Sequence, residues 1–277
     1  MSRESTWVNR FLTYRFPLLK NEIQLDVAKE ILLKHKPEKL YKYRQADNVG
    51  FSVIQNEELW LARADTVNDP YDCYFTHNPE NILDSNERII QAVPPIFDEN
   101  VIQFGLRGIE SIINYQRDCL RKRIKLCSLS KQFDILKMWE RYSQFHTGFC
   151  VEFDLQKSND AIWDYLFPVH YSNIKVDFTN YVKILLEKPH VLNQSFIRRA
   201  LLTKSLDWEY ENEWRIITPD KPEMLGVRCS CIPISCVYLG YMASQDTVVH
   251  IESICRPKGI SVKNMQLDGH LLVAVGP

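Results

Sequence analysis

The sequence runs to 277 residues, with 34 Lys plus Arg against 35 Asp plus Glu, a net charge of -1, and 45% hydrophobic residues. A chain of this size can bury a large core as one large domain or two small ones, and the lack of a clear linker favours one domain with insertions. The balanced charge excludes a global field that would recruit nucleic acid or an anionic membrane; it leaves a local basic patch, and so a nucleic-acid partner, undecided.

Met1-Ser2-Arg3-Glu4-Ser5 places charge where a signal peptide would carry an apolar stretch, and no later run has the length of a membrane span. The expectation is a cytoplasmic protein with no membrane attachment. Its 8 cysteines are mostly scattered among apolar neighbours, as buried thiols in a reducing compartment would be. Cys229-Ser230-Cys231, with Cys236 close behind, lacks the two-residue gap of a zinc knuckle, so free thiols and no bound metal are expected.

Residues 7 to 38 carry apolar positions at helical spacing, among them Ile23, Val27, Ile31 and Leu32, and end at Lys36-Pro37; they read as a helical extension before a domain over 39–277. Lys39 to Arg44 alternates as a strand, with Leu40, Lys42 and Arg44 on one side and Tyr41 and Tyr43 on the other. A terminal arginine is commonly a surface charge and is also what a phosphate clamp needs. A short helix over 51–58 and a strand over 58–62 follow. The run Asn68-Asp69-Pro70-Tyr71-Asp72 is full of turn chemistry, which accounts for its residues structurally. The functional alternative is a loop against a ligand, with Asp69 or Asp72 orienting Arg44.

From Asn81 to about Arg123 the pattern is helical, broken at Pro94-Pro95, and it ends in a basic run that suits a helix C-terminus. Ile124 to Ser130 reads as a strand with Ser128 and Ser130 on one face, Leu136 to Tyr142 as a short helix, and His146 to Asp154 as a turn and another strand. His146 beside that turn is either a general base or a satisfied loop histidine. Pro168 to Tyr171 is strand-like and 176–202 mainly helical. Leu206 to Ile217 alternates as one long strand, with Trp208, Tyr210, Asn212, Trp214 and Ile216 facing one way and Glu209, Glu211, Glu213 and Arg215 the other. Val237 to Tyr241, a helix capped by Ser244 and stopped by Gly259, and Ile260 to Val262 make a strand-helix-strand unit, and 270–275 a last strand. The fold class is α+β: a mixed, mainly antiparallel sheet with surrounding helices.

The strings Leu40-Tyr41-Lys42-Tyr43-Arg44, Asn68 to Asp72, Met138-Trp139-Glu140-Arg141-Tyr142, His146 to Phe153 and Trp208 to Arg215 resemble, in order from about residue 39, those of a bacterial domain-of-unknown-function family, number 2971. Arg44, then Ser128-Leu129-Ser130, then Glu211-Asn212-Glu213 also resemble, in chain order, the arginine, Ser-x-Ser and Glu-x-Glu elements of ADP-ribosyltransferases. That resemblance implies a fold of the same kind and NAD as co-substrate. Arg44 would hold a phosphate or ribose, and Ser128, with Ser130, the nicotinamide-side ribose. Glu213 would stabilise the cationic sugar as nicotinamide leaves, and Glu211 would polarise an unknown acceptor. Tyr43, Trp139 and Tyr142 are candidates to stack on nicotinamide, and Asp69 and His146 complete the candidate site. Leu129 between the serines departs from the pattern.

Three function classes compete. One is an NAD-dependent ADP-ribosyltransferase or NAD-cleaving enzyme, suited to a bacterial toxin or defence effector. A second is a metal-dependent nuclease or hydrolase using Asp69, Asp72, His77, His146 and the glutamates. The third is a ligand-sensing or interaction module that binds without chemistry.

Overall fold

The N-terminal helical pattern becomes two helices because Pro17 breaks it. Helix α1 (Arg3–Arg15) stops just before that proline, and α2 (Leu25–His35) stops before Pro37. Val8, Phe11 and Leu12 on α1 and Ala28 and Leu32 on α2 are buried in the same apolar cluster as the central strands. Phe11 and Phe16 lie 6.4 and 5.5 Å, ring to ring, from Phe167, so the first helices are part of the main core. The structure, a computed structural model, describes residues 3–67, 75–84, 99–221 and 223–276. The turn at Asn68 to Asp72, and with it Asp69 and Asp72, lies outside the described residues, as do Cys73 and Pro94-Pro95.

Strand β1 (Lys39–Arg44) leads into α3 (Asn48–Asn56), whose first turn is capped by Asp47 accepting from the Gly50 amide at 2.7 Å. Then come β2 (Leu59–Arg63), the two-residue β3 (Phe75–Thr76), α4 (Pro79–Asp84) and the long α5 (Glu99–Arg123). β4 (Ile124–Ser130), α6 (Leu136–Tyr142) and β5 (Phe149–Asp154) follow at the positions their patterns indicate. The strand-like run at 168–171 is divided: β6 (Leu166–Pro168) joins the main sheet and β7 (His170–Tyr171) does not.

The segment 176–202 is mainly helical, as its pattern suggests, but opens with β8 (Val176–Asp177) and is broken between α7 (Thr179–Glu187) and a 3-10 turn at Gln194–Ile197 that runs into α8 (Arg198–Leu201). After β9 (Thr203–Lys204), the acidic stretch departs from one long strand. Leu206–Glu211 is a 3-10 helix capped by Ser205, Asn212 takes a left-handed conformation at φ 45°, and only then does β10 (Glu213–Pro219) begin. Asparagine tolerates that conformation, and it turns the chain between the two glutamates. β11 (Gly226–Cys229), β12 (Ile234–Leu239), α9 (Gln245–Cys255), β13 (Ser261–Asp268) and β14 (Leu271–Val275) complete the chain. Ser244 caps α9, and Gly259 ends the following turn at φ 67°.

The fold is α+β. Among the described residues, ten strands form one sheet in the order β11-β2-β4-β1-β5-β12-β13-β14, with β10 paired to β4 and β6 to β10. Its pairings are antiparallel except β12 with β13, the crossover through α9. The main core lies between this sheet and α1, α2, α3 and α9, while a second cluster of Phe75, Ile82, Ile113, Phe178 and Tyr181 joins α4, α5 and α7.

Trp214 on β10 is 1% exposed and lies 6.2 Å from Trp7 and 6.3 Å from Trp163, so it fastens α1 to the sheet. Trp214→Ala is expected to cost about 3–5 kcal/mol, the range for removing a large buried aromatic. Urea unfolding reads this directly; a loss under about 1 kcal/mol would show that the site collapses around the missing ring.

Candidate functional site

β4 carries the site because its two edges are covered unequally. β10 pairs along the whole of one edge, from Glu213 opposite Ser130 to Pro219 opposite Ile124. The other edge is shared. β2 bridges Lys125 and Leu126, β1 bridges Ser130, and neither forms a bridge at Cys127, Ser128 or Leu129. β1 instead continues beside β5 over all its residues, and β2 beside β11. The sheet therefore splits, and a cavity of about 590 Å³ opens between the two lips.

Residues from both lips and from β4 line it. Lys42 and Arg44 come from β1, Trp60 and Ala62 from β2, and Ser128 and Ser130 from β4. The Ser130 end is closed by Tyr142, Lys204, Glu211 and Glu213. Paired residues share a face, so the register Ser130–Glu213 and Ser128–Arg215 puts both serines, the glutamate and the arginine on one side of the sheet.

Glu213, 3% exposed, is the hub of a buried ion cluster. Arg215 donates to it twice, from Nε to Oε1 at 2.7 Å and from Nη2 to Oε2 at 3.1 Å. Lys204 Nζ donates to Glu213 Oε2 at 3.0 Å and to Glu211 Oε2 at 2.6 Å, and Tyr142 Oη donates to Glu211 Oε1 at 2.7 Å. Arg215 also donates to the Leu201 carbonyl at 2.7 Å, the Glu213 amide donates to Tyr171 Oη at 2.8 Å, and Ser130 Oγ donates to the Glu211 carbonyl at 2.7 Å. Burial pushes the Glu213 carboxyl up, but Arg215 and Lys204, with hydrogen bonds from Arg215 and Ser128, outweigh it and hold the pKa well below the carboxylate range. Burial likewise pushes Lys204 down, and the two glutamates outweigh it and raise it. Two carboxylates meet two cations, so the formal charges of the cluster balance.

The β1 lip is different. Lys42 Nζ crosses the split to donate to the Ser128 carbonyl at 2.5 Å, and burial lowers its pKa. Arg44 Nε is buried with no hydrogen-bond partner, and burial lowers the guanidinium's pKa as well. A buried guanidinium donor without a partner is expensive, and a hydrogen-bond acceptor is what would satisfy it.

Of the residues singled out in the sequence, Tyr43, Arg44, Ser128, Ser130, Tyr142, Glu211 and Glu213 line this one cavity. Trp139 and His146 lie outside its lining. Trp139 is fully buried, donates from its indole to the Phe133 carbonyl at 2.7 Å and meets Tyr43 edge-on at 5.4 Å, so its ring is spent packing against β1. Stacking on a ligand is therefore closed to it. His146 sits in a turn with φ 66°, 4.5 Å from the Tyr241 ring, and its Nδ1 is buried without a partner. His77 follows β3 near Arg117 and Asp177, in the region of the second core. Among the described residues no three His, Cys, Asp or Glu are grouped as a metal ion requires, and the cysteines carry no disulfide. Again among the described residues, no helix is long and apolar enough to cross a membrane.

Lys42, Lys204 and Trp60 were given no role from the sequence. Lys42 was legible as sharing the Arg44 face; Lys204 had no signal, because its partners are seven and nine residues away across a turn.

Residues 138–216 match the model of a family described as a protein of unknown function, DUF2971, a narrower span than the run from residue 39 that the sequence strings suggest. No curated protein and no solved structure gives a match. The matched segment holds Tyr142, Lys204, Glu211, Glu213 and Arg215; Arg44 and Ser128 precede it.

Because the Glu213 pKa is lowered by folding, its contribution to stability is full above the unfolded glutamate value, about 4.3, and is lost as pH falls below that toward the folded value. Glu213→Gln leaves Arg215 and Lys204 with a single carboxylate between them and is expected to cost about 3–5 kcal/mol at neutral pH and to flatten the acid limb of the stability curve. Chemical denaturation from pH 7 to 3 measures both; equal acid limbs in the two proteins would contradict the assignment.

Proposed function

We propose that this chain, whose residues 138–216 carry the DUF2971 domain, binds NAD in the cleft between β1 and β2 and transfers or hydrolyses its ADP-ribosyl group. The observation that carries the reading is the unpartnered Arg44 Nε in the cavity that Ser128 and Glu213 also line. Arg44 and Lys42 take the pyrophosphate, whose charge answers two cations that form no direct ion pair among the described residues. Ser128, already bonded to Glu213, gives place to a ribose hydroxyl, and Glu213, whose pKa its cations lower, faces the sugar as positive charge develops on it.

Charge balance limits the chemistry. Arg215 and Lys204 offset most of the field that Glu213 and Glu211 would exert, and both oxygens of Glu211 already accept hydrogen bonds. Activation of an acceptor by Glu211 thus requires Tyr142 to release it. The same balance favours a second reading, a module that binds NAD or ADP-ribose and senses it without turnover.

Arg44→Gln separates a ligand-binding arginine from a structural one. It is expected to weaken NAD binding by roughly 1.5–3 kcal/mol, the value of a hydrogen bond to a charged group, while leaving thermal stability equal or higher because a buried unpaired cation is removed. Calorimetry and melting curves test this; loss of stability with unchanged affinity would contradict it. Nicotinamide release by the wild type, followed with and without chelator, distinguishes the two readings: chelator-insensitive release supports the enzyme, and binding without release supports the sensor.

A further inference from the structure

On β2 the alternation sends Leu59 and Leu61, at 2% and 1% exposure, into the core, and leaves Trp60 and Ala62 facing the cavity. Trp60 is 46% exposed, a large apolar ring left open at the mouth of a polar cleft. Its indole is held from one side. Gly226 on β11 pairs with Ala62, and a Cβ built there would come within 2.3 and 2.4 Å of Trp60 Cζ2 and Cε2. Any side chain at 226 would push the ring off the strand, so glycine supplies its seat. The other five tryptophans each have a ring or a cation against them: Trp7 stacks on His35, Trp139 meets Tyr43, Trp163 meets Trp214, and Arg141 covers Trp208. Among the described residues Trp60 has no such partner.

We propose that Trp60 is the stacking platform for the adenine ring of the bound nucleotide, an inference that rests on the NAD reading above. The two lips bring different chemistry to one mouth. β1 offers cations for the phosphates, β2 offers a ring backed by glycine, and the sugar to be cleaved lies toward Ser128 and Glu213. A dinucleotide laid along the split thus has its glycosidic end at the carboxylate cluster and its far base on Trp60. A flat heteroaromatic ring stacks there without hydrogen-bond readout, and such stacking is sequence-tolerant and strong enough to matter for affinity.

The test compares NAD and ADP-ribose, which both carry adenine, with inorganic pyrophosphate, which carries no ring, by calorimetry on wild type, Trp60→Leu and Trp60→Phe. Trp60→Leu is expected to weaken NAD and ADP-ribose roughly five- to a hundredfold and leave pyrophosphate unchanged, with Trp60→Phe close to wild type. Equal affinities of wild type and Trp60→Leu for ADP-ribose would overturn the stacking role and leave the NAD cleft standing. Parallel losses for pyrophosphate and ADP-ribose would also overturn it, since the damage would then not be to ring binding. Failure of the wild type to bind either nucleotide would overturn the NAD reading and this inference together.

Discussion

One strand edge cannot hold two partners along the same residues, and the site follows from that constraint. β4 gives one edge wholly to β10, and offers the other to β2 at its start and to β1 at its end. Each is drawn away by its own outer neighbour, β11 or β5, so the three residues between the bridges are left without a strand. Open strand edges carry unsatisfied backbone groups and are normally covered. Here Lys42 answers the Ser128 carbonyl, and the rest of the gap becomes a cavity with polar walls.

The two ends of that cavity are treated in opposite ways. At the Ser130 end, Lys204, Glu211, Glu213 and Arg215 satisfy one another so fully that the cluster resembles a structural device, holding the turn at Asn212 and the start of β10 in register. Such a cluster is costly to break, because removing one partner leaves a buried charge uncompensated. Along the β1 lip, Arg44 keeps a buried donor unused. The fold thus satisfies the four charged groups of one cluster and leaves the Arg44 donor open nearby, and the proposed binding surface is the open one. Burial without compensation is tolerated where a ligand completes the site.

Much of this was legible in local pattern and some was not. Period-two alternation located β1, β4 and β5 and put Arg44, Ser128 and Ser130 on definite faces, because each strand has one side in an apolar core. The same alternation misled at Leu206 to Asn212, where a Ser205 cap and a left-handed Asn212 convert the first half of an apparent strand into a 3-10 helix. Glu211 and Glu213 still share the cavity, joined by Lys204 and not by strand geometry. Trp139, a candidate for stacking by resemblance, has its indole buried against Tyr43. Trp60 gave no signal, since its exposure depends on Gly226, which lies 166 positions later and meets it only through the β2–β11 pairing. Long-range pairing is what a local pattern does not contain.

The central claim is that the split between β1 and β2 is where NAD sits. Amide hydrogen exchange with and without saturating NAD tests it without any mutation, since exchange reports which backbone is protected when a ligand closes over it. The account predicts slowed exchange at Gln45 to Gly50, Trp60 to Thr66 and Cys127 to Ser130, with α9 and β13 to β14 unchanged. Protection confined to the second core around α4, α5 and α7, or no protection at a NAD concentration that calorimetry shows to be saturating, would contradict it.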